Sequence, residues 1–336
     1  MDPRRSRALY WLLALPASGL LLYFSLRGVA WAQVGLLLST VRPGWAIAAW
    51  ALGGLAYFLR ALRWRVLLTA QGEVRVSTAF WTNSAGYFGN SFLPARAGEL
   101  VRAFTVSAAS GLSRTYALTT GISERIADAI ALVAIGSVVL ASGEFHPPWL
   151  GRAAAPFAVA GAFGILALLL LPHLDALTRR LIAWLPFPAP VKEKCLSLLA
   201  QVVLGAGSFR DPSRLGKFVV FTALIWFVDA TGSTFVARSL GLSLSLPAAF
   251  LLIAALGLSS AVPSTPGYVG VYQFVAVTVL VPFGFSRTNA IAYILFGQAQ
   301  QYVLVATLGG LGFWQYRKLG RTVNSYPAPT LATPSP

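Results

Sequence analysis

Two short stretches concentrate the ionisable side chains of an otherwise apolar chain. In GNSFLPARAGELVRAF, residues 89–104, Arg96, Glu99 and Arg102 follow one another at spacings of three. In GISERIADAIAL, residues 121–132, Glu124 and Asp128 are four apart, so they share a helix face with Arg125 beside it. Guanidinium forks match the geometry of a phosphate. Carboxylates in the same place could hold a cationic or hydroxylated group, carry a coupling proton, or work as an acid–base pair. Arg125 can neutralise one carboxylate and leave the other with excess charge. The competing reading is a salt-bridge network that locks helices together, although three charges within five residues are expensive glue. Asp229 stands alone in an apolar run, where a bond to a neighbouring Thr or Ser and a functional role weigh equally.

The elements that must position these groups are membrane helices. The chain has 336 residues, is 57% hydrophobic and only 11% charged, against about 25% charged in a soluble domain. Apolar runs of spanning length occur at Ala8–Leu26, Gly44–Leu59, Thr115–Ala141, Ala153–Leu171, Gly216–Val236 and Thr288–Trp314. The first follows Arg4, Arg5 and Arg7 but is too long for a signal peptide and lacks a small-residue exit, so it reads as a retained span. An ionisable group inside such a run costs about 2.5–3.5 kcal/mol at the bilayer centre and is a functional candidate by default.

The net charge of +16 encodes orientation rather than nucleic-acid binding. With the N-terminus inside, Arg4–Arg7, Arg60–Arg75, Arg179–Lys217 and Arg317–Arg321 gather on one face, leaving Arg27, Arg42, Arg152, Arg238 and Arg287 on the other. A single cysteine, Cys195, excludes an internal disulfide framework, and two distant histidines, His146 and His173, argue against a metal site. No cofactor is expected.

The chain repeats itself. Ser91-x-x-Pro94-x-x-x-Gly98 returns as Ser260-x-x-Pro263-x-x-x-Gly267, 169 residues later. Gly111-Leu-Ser-Arg-Thr returns as Gly284-Phe-Ser-Arg-Thr at an offset of 173, and the long helices that follow share Gly136 and Gly309. The chain therefore reads as a single membrane domain, 1–336, with half-repeats 8–141 and 153–314 and a disordered cytoplasmic tail at 322–336. Three spans per half would make the second half enter from the opposite face. The expected class is an all-α polytopic membrane protein with about six full spans and two re-entrant hairpins, Val76–Ser110 and Leu246–Pro282, in an inverted internal repeat. Pro94, Pro263 and Pro266 remove backbone donors, which membrane depth tolerates only inside protein or beside a watery cavity. Ordinary kinked spans are the bland alternative. Segments 29–42 and 174–204 read as interfacial, the latter amphipathic through Leu177, Leu181, Trp184 and Leu185. At the 173 offset Arg125 and Asp128 correspond to Gln298 and Gln301, so the second half is polar without charge.

ALRWRVLL (61–68), NSFLPARAGELVRAF (90–104), SERIADAIAL (123–132) and PSTPGYVGVYQF (263–274) together resemble the flippase-like membrane family that includes the transmembrane domain of lysylphosphatidylglycerol synthase. The resemblance covers roughly residues 8–315 and implies a protein that moves or handles polar lipids. Its motif positions fall on Pro94, Arg96, Gly98, Glu99, Arg102, Glu124, Arg125, Asp128, Pro266, Gly267 and Gly270. Asn90 and Gln273 belong to the same stretches. Two departures stand out: the family often has Gly-Gly and then a Glu, where this chain has Gly267-Tyr268 and Gln273. Nothing after Trp314 is long enough for the aminoacyl-transferring domain of full-length synthases, so lipid lysylation is not expected of this chain alone.

The leading expectation is a lipid flippase or scramblase whose cavity takes an anionic or glycosylated headgroup, with membrane lipids as partners and no nucleic acid. Arg96, Arg102 and Arg125 would hold a phosphate, and Glu124 and Asp128 a cationic or hydroxylated group or a proton. No G-x-x-x-x-G-K-[ST] occurs, so transport would be downhill or gradient-coupled. The bacterial inner membrane, with both termini cytoplasmic, is the expected location. The alternatives are an accessory subunit or enzyme acting on lipid-linked sugars, beside a partner lipid-modifying enzyme, and a small-solute transporter. No catalytic motif favours the enzyme.

Overall fold

The computed structural model describes residues 18–92, 97–141, 207–260 and 266–323, residue 16, and scattered positions between 159 and 197; side chains are described as far as Tyr316. All regular structure among these residues is helical. In chain order the helices are α1 (Ser18–Leu26), α2 (Trp31–Ser39), α3 (Pro43–Leu68), α4 (Val76–Phe92), α5 (Gly98–Ser110), α6 (Arg114–Ala141), α7 (Pro212–Ser239), α8 (Leu246–Ser259), α9 (Val271–Leu280) and α10 (Arg287–Val323).

Local sequence sets their ends. Pro43 and Pro212 stand at helix starts, where the missing N–H is not needed. Asp211 and Ser245 cap α7 and α8 by accepting from the amides of Ser213 and Ala248. The two G-x-S-R-T repeats produce the same device twice. Gly111 (φ 74°) and Gly284 (φ 87°) turn the chain through the left-handed region. Ser113 and Ser286 then accept from the amides three residues on, at 3.1 and 3.0 Å, and launch α6 and α10.

Among the described residues three helices, α3, α7 and α10 as far as Tyr316, are long and apolar enough to cross a membrane. Their outward side chains are apolar: Ile47 and Phe227 are 67% and 53% exposed, whereas Arg63 and Glu124 are 0% and 1% exposed. This inside-out distribution is that of an integral membrane protein. The span expected at Gly44–Leu59 is longer, because α3 continues nine residues to Leu68 and carries Arg60 and Arg63 inside the bundle. The 28-residue α6 matches the expected Thr115–Ala141 in length, but its charged middle sets it apart from the apolar spans. Of Ala8–Leu26 only the second half is described, as α1, which meets α2 at 86°; a sharp bend of this kind places α2 (within the segment 29–42) across the direction of α1. Most of Ala153–Leu171, of 174–204 and of 322–336 lies outside the described residues.

Both expected hairpins are helix–break–helix pairs, and contacts give their direction. Helices α3 and α7 are antiparallel: Trp45 meets Phe235, Gly232 lies 3.7 Å from Leu52 through its Cβ position, Arg63 reaches Thr222, and Arg63 also covers Phe218. The connections before and after the α4–α5 pair, around Gly72 and Leu112, touch each other at the Leu68 end of α3. Those flanking the α8–α9 pair, Leu240–Leu244 and Leu280–Phe285, pack together at the other end, where Arg42 donates to Ser239. The two pairs thus enter the bundle from opposite ends.

Packing between the halves is reciprocal. Helix α4 lies along α10, with Phe88 against Gly309 and Trp81 against Gly312. Helix α8 lies along α6, with Ala254 against Gly136 and Gly257 against Leu132. The two glycines that match across the sequence repeat, Gly136 and Gly309, therefore both receive the first helix of the other half's hairpin.

Candidate functional site

The charged residues of the first half assemble on Arg63, a residue of α3. Its Nε and Nη2 donate to Glu124 Oε1 at 3.1 and 3.0 Å, its Nη1 and Nη2 to the two Asp128 oxygens at 2.6 and 2.9 Å, and Nη1 also to Thr222 Oγ1 at 3.2 Å. Arg102 donates to Glu124 Oε2 at 2.8 Å and to Asn83 Oδ1 at 3.2 Å, and pairs through Nε with Glu99 at 2.7 Å. Glu124 is therefore shared by two guanidinium groups, and helices α3, α5, α6 and α7 are tied at one level. Phe218 lies 5.0 Å from the Arg63 guanidinium and Trp64 4.7 Å from that of Arg102, covering both cations with aromatic rings. A buried network of this kind holds only if its lone pairs and protons are matched, and loss of one member leaves an uncompensated charge.

A second ion pair stands above it. Arg60 takes Asp229 in a two-pronged contact across the α3–α7 seam, and its guanidinium lies 5.7 Å from the Trp226 ring and 5.9 Å from Tyr57. Arg125 donates to Glu99 at 2.9–3.0 Å and reaches Asp128 at 4.0 Å, over Tyr87. Its side chain is 41% exposed, against 2% for Arg102.

These groups border a cavity of about 540 Å³ at the centre of the bundle, a size typical of small-ligand sites. Its charged wall carries Arg60, Glu99, Arg125, Asp128 and Asp229. The opposite wall is neutral. Gln273, on α9, accepts from the Gly270 amide at 2.7 Å and donates to Gln298 at 2.6 Å; Gln298 in turn donates to the Gly267 carbonyl at 3.1 Å, as does the Tyr302 hydroxyl at 2.7 Å. Gln301 donates to the Tyr57 hydroxyl at 2.6 Å and links the walls. The tips of both helical pairs reach this space, through Asn90 and Ser91 on one side and Ser260, Gly267 and Tyr268 on the other.

The glycines singled out by the sequence are architectural. A Cβ on Gly98 would strike the α4 backbone at Gly86 and Asn90, so the close approach of α5 to α4 requires glycine at this position. Gly267 (φ 76°) and Gly270 (φ 89°) adopt conformations L-residues avoid, and a Cβ would strike Tyr302 and Ser18 respectively. Between them Tyr268 keeps a left-handed φ of 60°, alone among the described non-glycine residues, and stacks on Tyr272 at 4.6 Å.

The structure brings together Asn90, Glu99, Arg125, Asp128, Asp229, Gly267, Gln298 and Gln301 at the cavity. Arg102 and Glu124 lie behind its wall, in the tying network, and Gln273 is buried at 3% exposure behind Gln298. Pro94, Arg96 and Pro263 lie outside the described residues, and of Pro266 only the backbone, which opens a 3₁₀ turn, is described. Asp229 is not lone but paired with Arg60. Sequence reading assigned Arg60 and Arg63 to the cytoplasmic basic cluster and so missed both. The signal was present: buried carboxylates in a membrane chain require cations, and two arginines at i, i+3 in an apolar helix supply them.

A family model described as the lysylphosphatidylglycerol synthase TM region matches residues 11–309. Neither the curated proteins nor the solved structures compared with the chain gave a match.

Proposed function

Because the chain belongs to the lysylphosphatidylglycerol synthase TM-region family, we propose that this membrane protein carries polar lipid headgroups from one leaflet to the other, without ATP, while the acyl chains stay in the bilayer. The observation that carries the reading is a polar cavity of about 540 Å³ lying where the tips of two broken helical pairs meet, inside a bundle whose outer surface is apolar. Broken helices that converge on one polar space are the usual construction of a transport site at the midplane. Entry of the two pairs from opposite ends, the reciprocal α4–α10 and α8–α6 packing, and the matched glycines support an inverted repeat, and so two related arrangements open alternately to either face. The basic clusters support an inner-membrane orientation with both termini cytoplasmic.

An enzymatic reading has less support. Each cavity carboxylate among the described residues is engaged by an arginine, at 2.9 Å for Glu99–Arg125 and 2.6 Å for Asp128–Arg63, which leaves no free acid–base couple among them of the kind hydrolysis or glycosyl transfer uses.

The test is reconstitution into phosphatidylethanolamine–phosphatidylglycerol liposomes containing trace acyl-chain-fluorescent lipids, bleached by a membrane-impermeant reductant. Bleaching well beyond half is expected for the wild type, and a return toward half for Arg125→Ala, which removes a half-exposed cavity group without opening the buried network. Bleaching that stalls at half for every lipid would defeat the transport reading.

A further inference from the structure

Among the described residues, the ionisable groups in and immediately behind the cavity wall balance. Arg60, Arg63, Arg102 and Arg125 face Glu99, Glu124, Asp128 and Asp229, and every carboxylate lies within 3.0 Å or less of a guanidinium nitrogen. Four positive charges meet four negative ones, and the other wall holds only amides and phenols. Among the described residues, neither a cationic nor an anionic headgroup would find a counter-charge unless an existing pair opened, which strands its other member in a poorly solvated space.

What the cavity offers in surplus is neutral. Trp50, Tyr87, Trp226, Tyr268 and Tyr272 present ring surfaces to it. Within its lining residues, Trp226 Nε1, Gln300 Oε1, Asn90 Oδ1 and Glu99 Oε2 have no hydrogen-bond partner; the Glu99 oxygen is held in an ion pair by Arg102 Nε at 2.7 Å, which leaves one neutral donor and two neutral acceptors, at positions where a buried unmet group is costly. Hydroxyls both donate and accept, so they can meet unmatched atoms of either kind. The backbone of Tyr268 is held in a strained left-handed conformation while its ring lies stacked at the wall, as expected where a functional site retains a costly geometry.

We infer that the headgroup taken by this cavity is a neutral, hydroxyl-rich ring, a glycosyl group carried on a diacylglycerol, rather than a phosphate or an aminoacyl cation. The assignment rests on the transport reading for its lipid source but not for its chemistry, and the two are separable by measuring binding and movement together.

The experiment uses the full chain in detergent and in liposomes, with short-acyl fluorescent versions of monoglucosyldiacylglycerol, phosphatidylglycerol, phosphatidylethanolamine and lysylphosphatidylglycerol, and with free glucose as the soluble arm. Binding is read from tryptophan fluorescence and movement from reductant bleaching. Expected are a fluorescence change with the glucosyl lipid that Trp226→Phe diminishes, and movement of that lipid at least about tenfold faster than of the charged or zwitterionic lipids, the discrimination an uncompensated charge imposes. The Asp229→Asn variant, which frees Arg60, should shift preference toward phosphatidylglycerol. The double variant Arg60→Gln, Asp229→Asn, neutral again, should restore the glucosyl preference and guards against a folding defect in the single one. Equal or faster movement of any charged or zwitterionic lipid overturns the headgroup assignment and leaves the transport reading standing. Glucosyl-lipid binding without movement of any lipid does the reverse. Saturation by free glucose with no response to the lipid overturns the lipid source.

Discussion

Arg63 and Arg125 sit within one helical layer and do different work. Arg63 is fully buried and satisfies Glu124 and Asp128 together. Arg63→Met leaves two carboxylates short of a partner, and a broken buried pair costs about 3–5 kcal/mol; a marked fall in melting temperature in detergent is expected, with aggregation on purification. Arg125→Ala removes a partly exposed side chain and should change stability by about 1 kcal/mol or less, so its melting temperature should stay near wild type while transport falls. Equal melting curves for the two variants would contradict this division. The sequence showed the acidic half of this layer plainly, since Glu99, Glu124 and Asp128 interrupt apolar surroundings. It hid the basic half because Arg60 and Arg63 adjoin Arg65 and Arg75, and a run of arginines at a span's end has the look of a topology signal. Only the continuation of α3 to Leu68 places them inside. The replacement of the family's second glycine by Tyr268 was visible too, but its cost was not: the position keeps the φ of 60° that glycine tolerates, and tyrosine accepts it.

At the scale of elements, the bundle depends on small residues where the halves cross. Gly309 faces Phe88 of α4, whereas the adjacent Gly310 has open space at its Cβ position. Gly309→Ala must therefore displace α4, and Gly310→Ala displaces nothing and removes a helix-weakening glycine worth up to about 1 kcal/mol. A lower melting temperature for the first and an equal or higher one for the second are expected; the opposite order would mean that α4 does not pack on α10 as described. The pairing of Gly136 with Gly309 was readable from sequence as a repeat, but not what each glycine touches, because sequence similarity carries no partner. Likewise Ser113 and Ser286 were readable as a repeated pattern at helix starts, and both prove to be caps. The first Ser-x-x-Pro-x-x-x-Gly copy and the second diverge in detail: Gly98 begins a helix and Gly267 lies in a 3₁₀ turn.

For the molecule as a whole, the direction of the two helical pairs fixes which connections share a face. Cysteines placed at Gln71 and Arg114, in a Cys195→Ser background, should react with a membrane-impermeant maleimide from one side of the membrane. Those at Ser243 and Val281 should react from the other. Labelling of all four from a single side would remove the opposed entry on which the proposed alternate access depends. Charge totals and apolar runs made a membrane protein of this chain from composition alone. The reciprocal packing of α4 on α10 and α8 on α6 needed three dimensions, since it joins residues more than a hundred positions apart.

The central claim is that a lipid headgroup passes through this cavity, and blocking the cavity tests it most directly. Ser260 lines the space between the second pair's tip and α10. A Ser260→Cys variant in the Cys195→Ser background would be reconstituted, treated with a bulky disulfide-forming thiol reagent, and followed by reductant bleaching of the fluorescent lipids. Bleaching that falls to half after modification and recovers when a mild thiol releases the block is the predicted result. Bleaching that continues undiminished at full modification would show that lipid crosses by another route, or does not use this cavity at all.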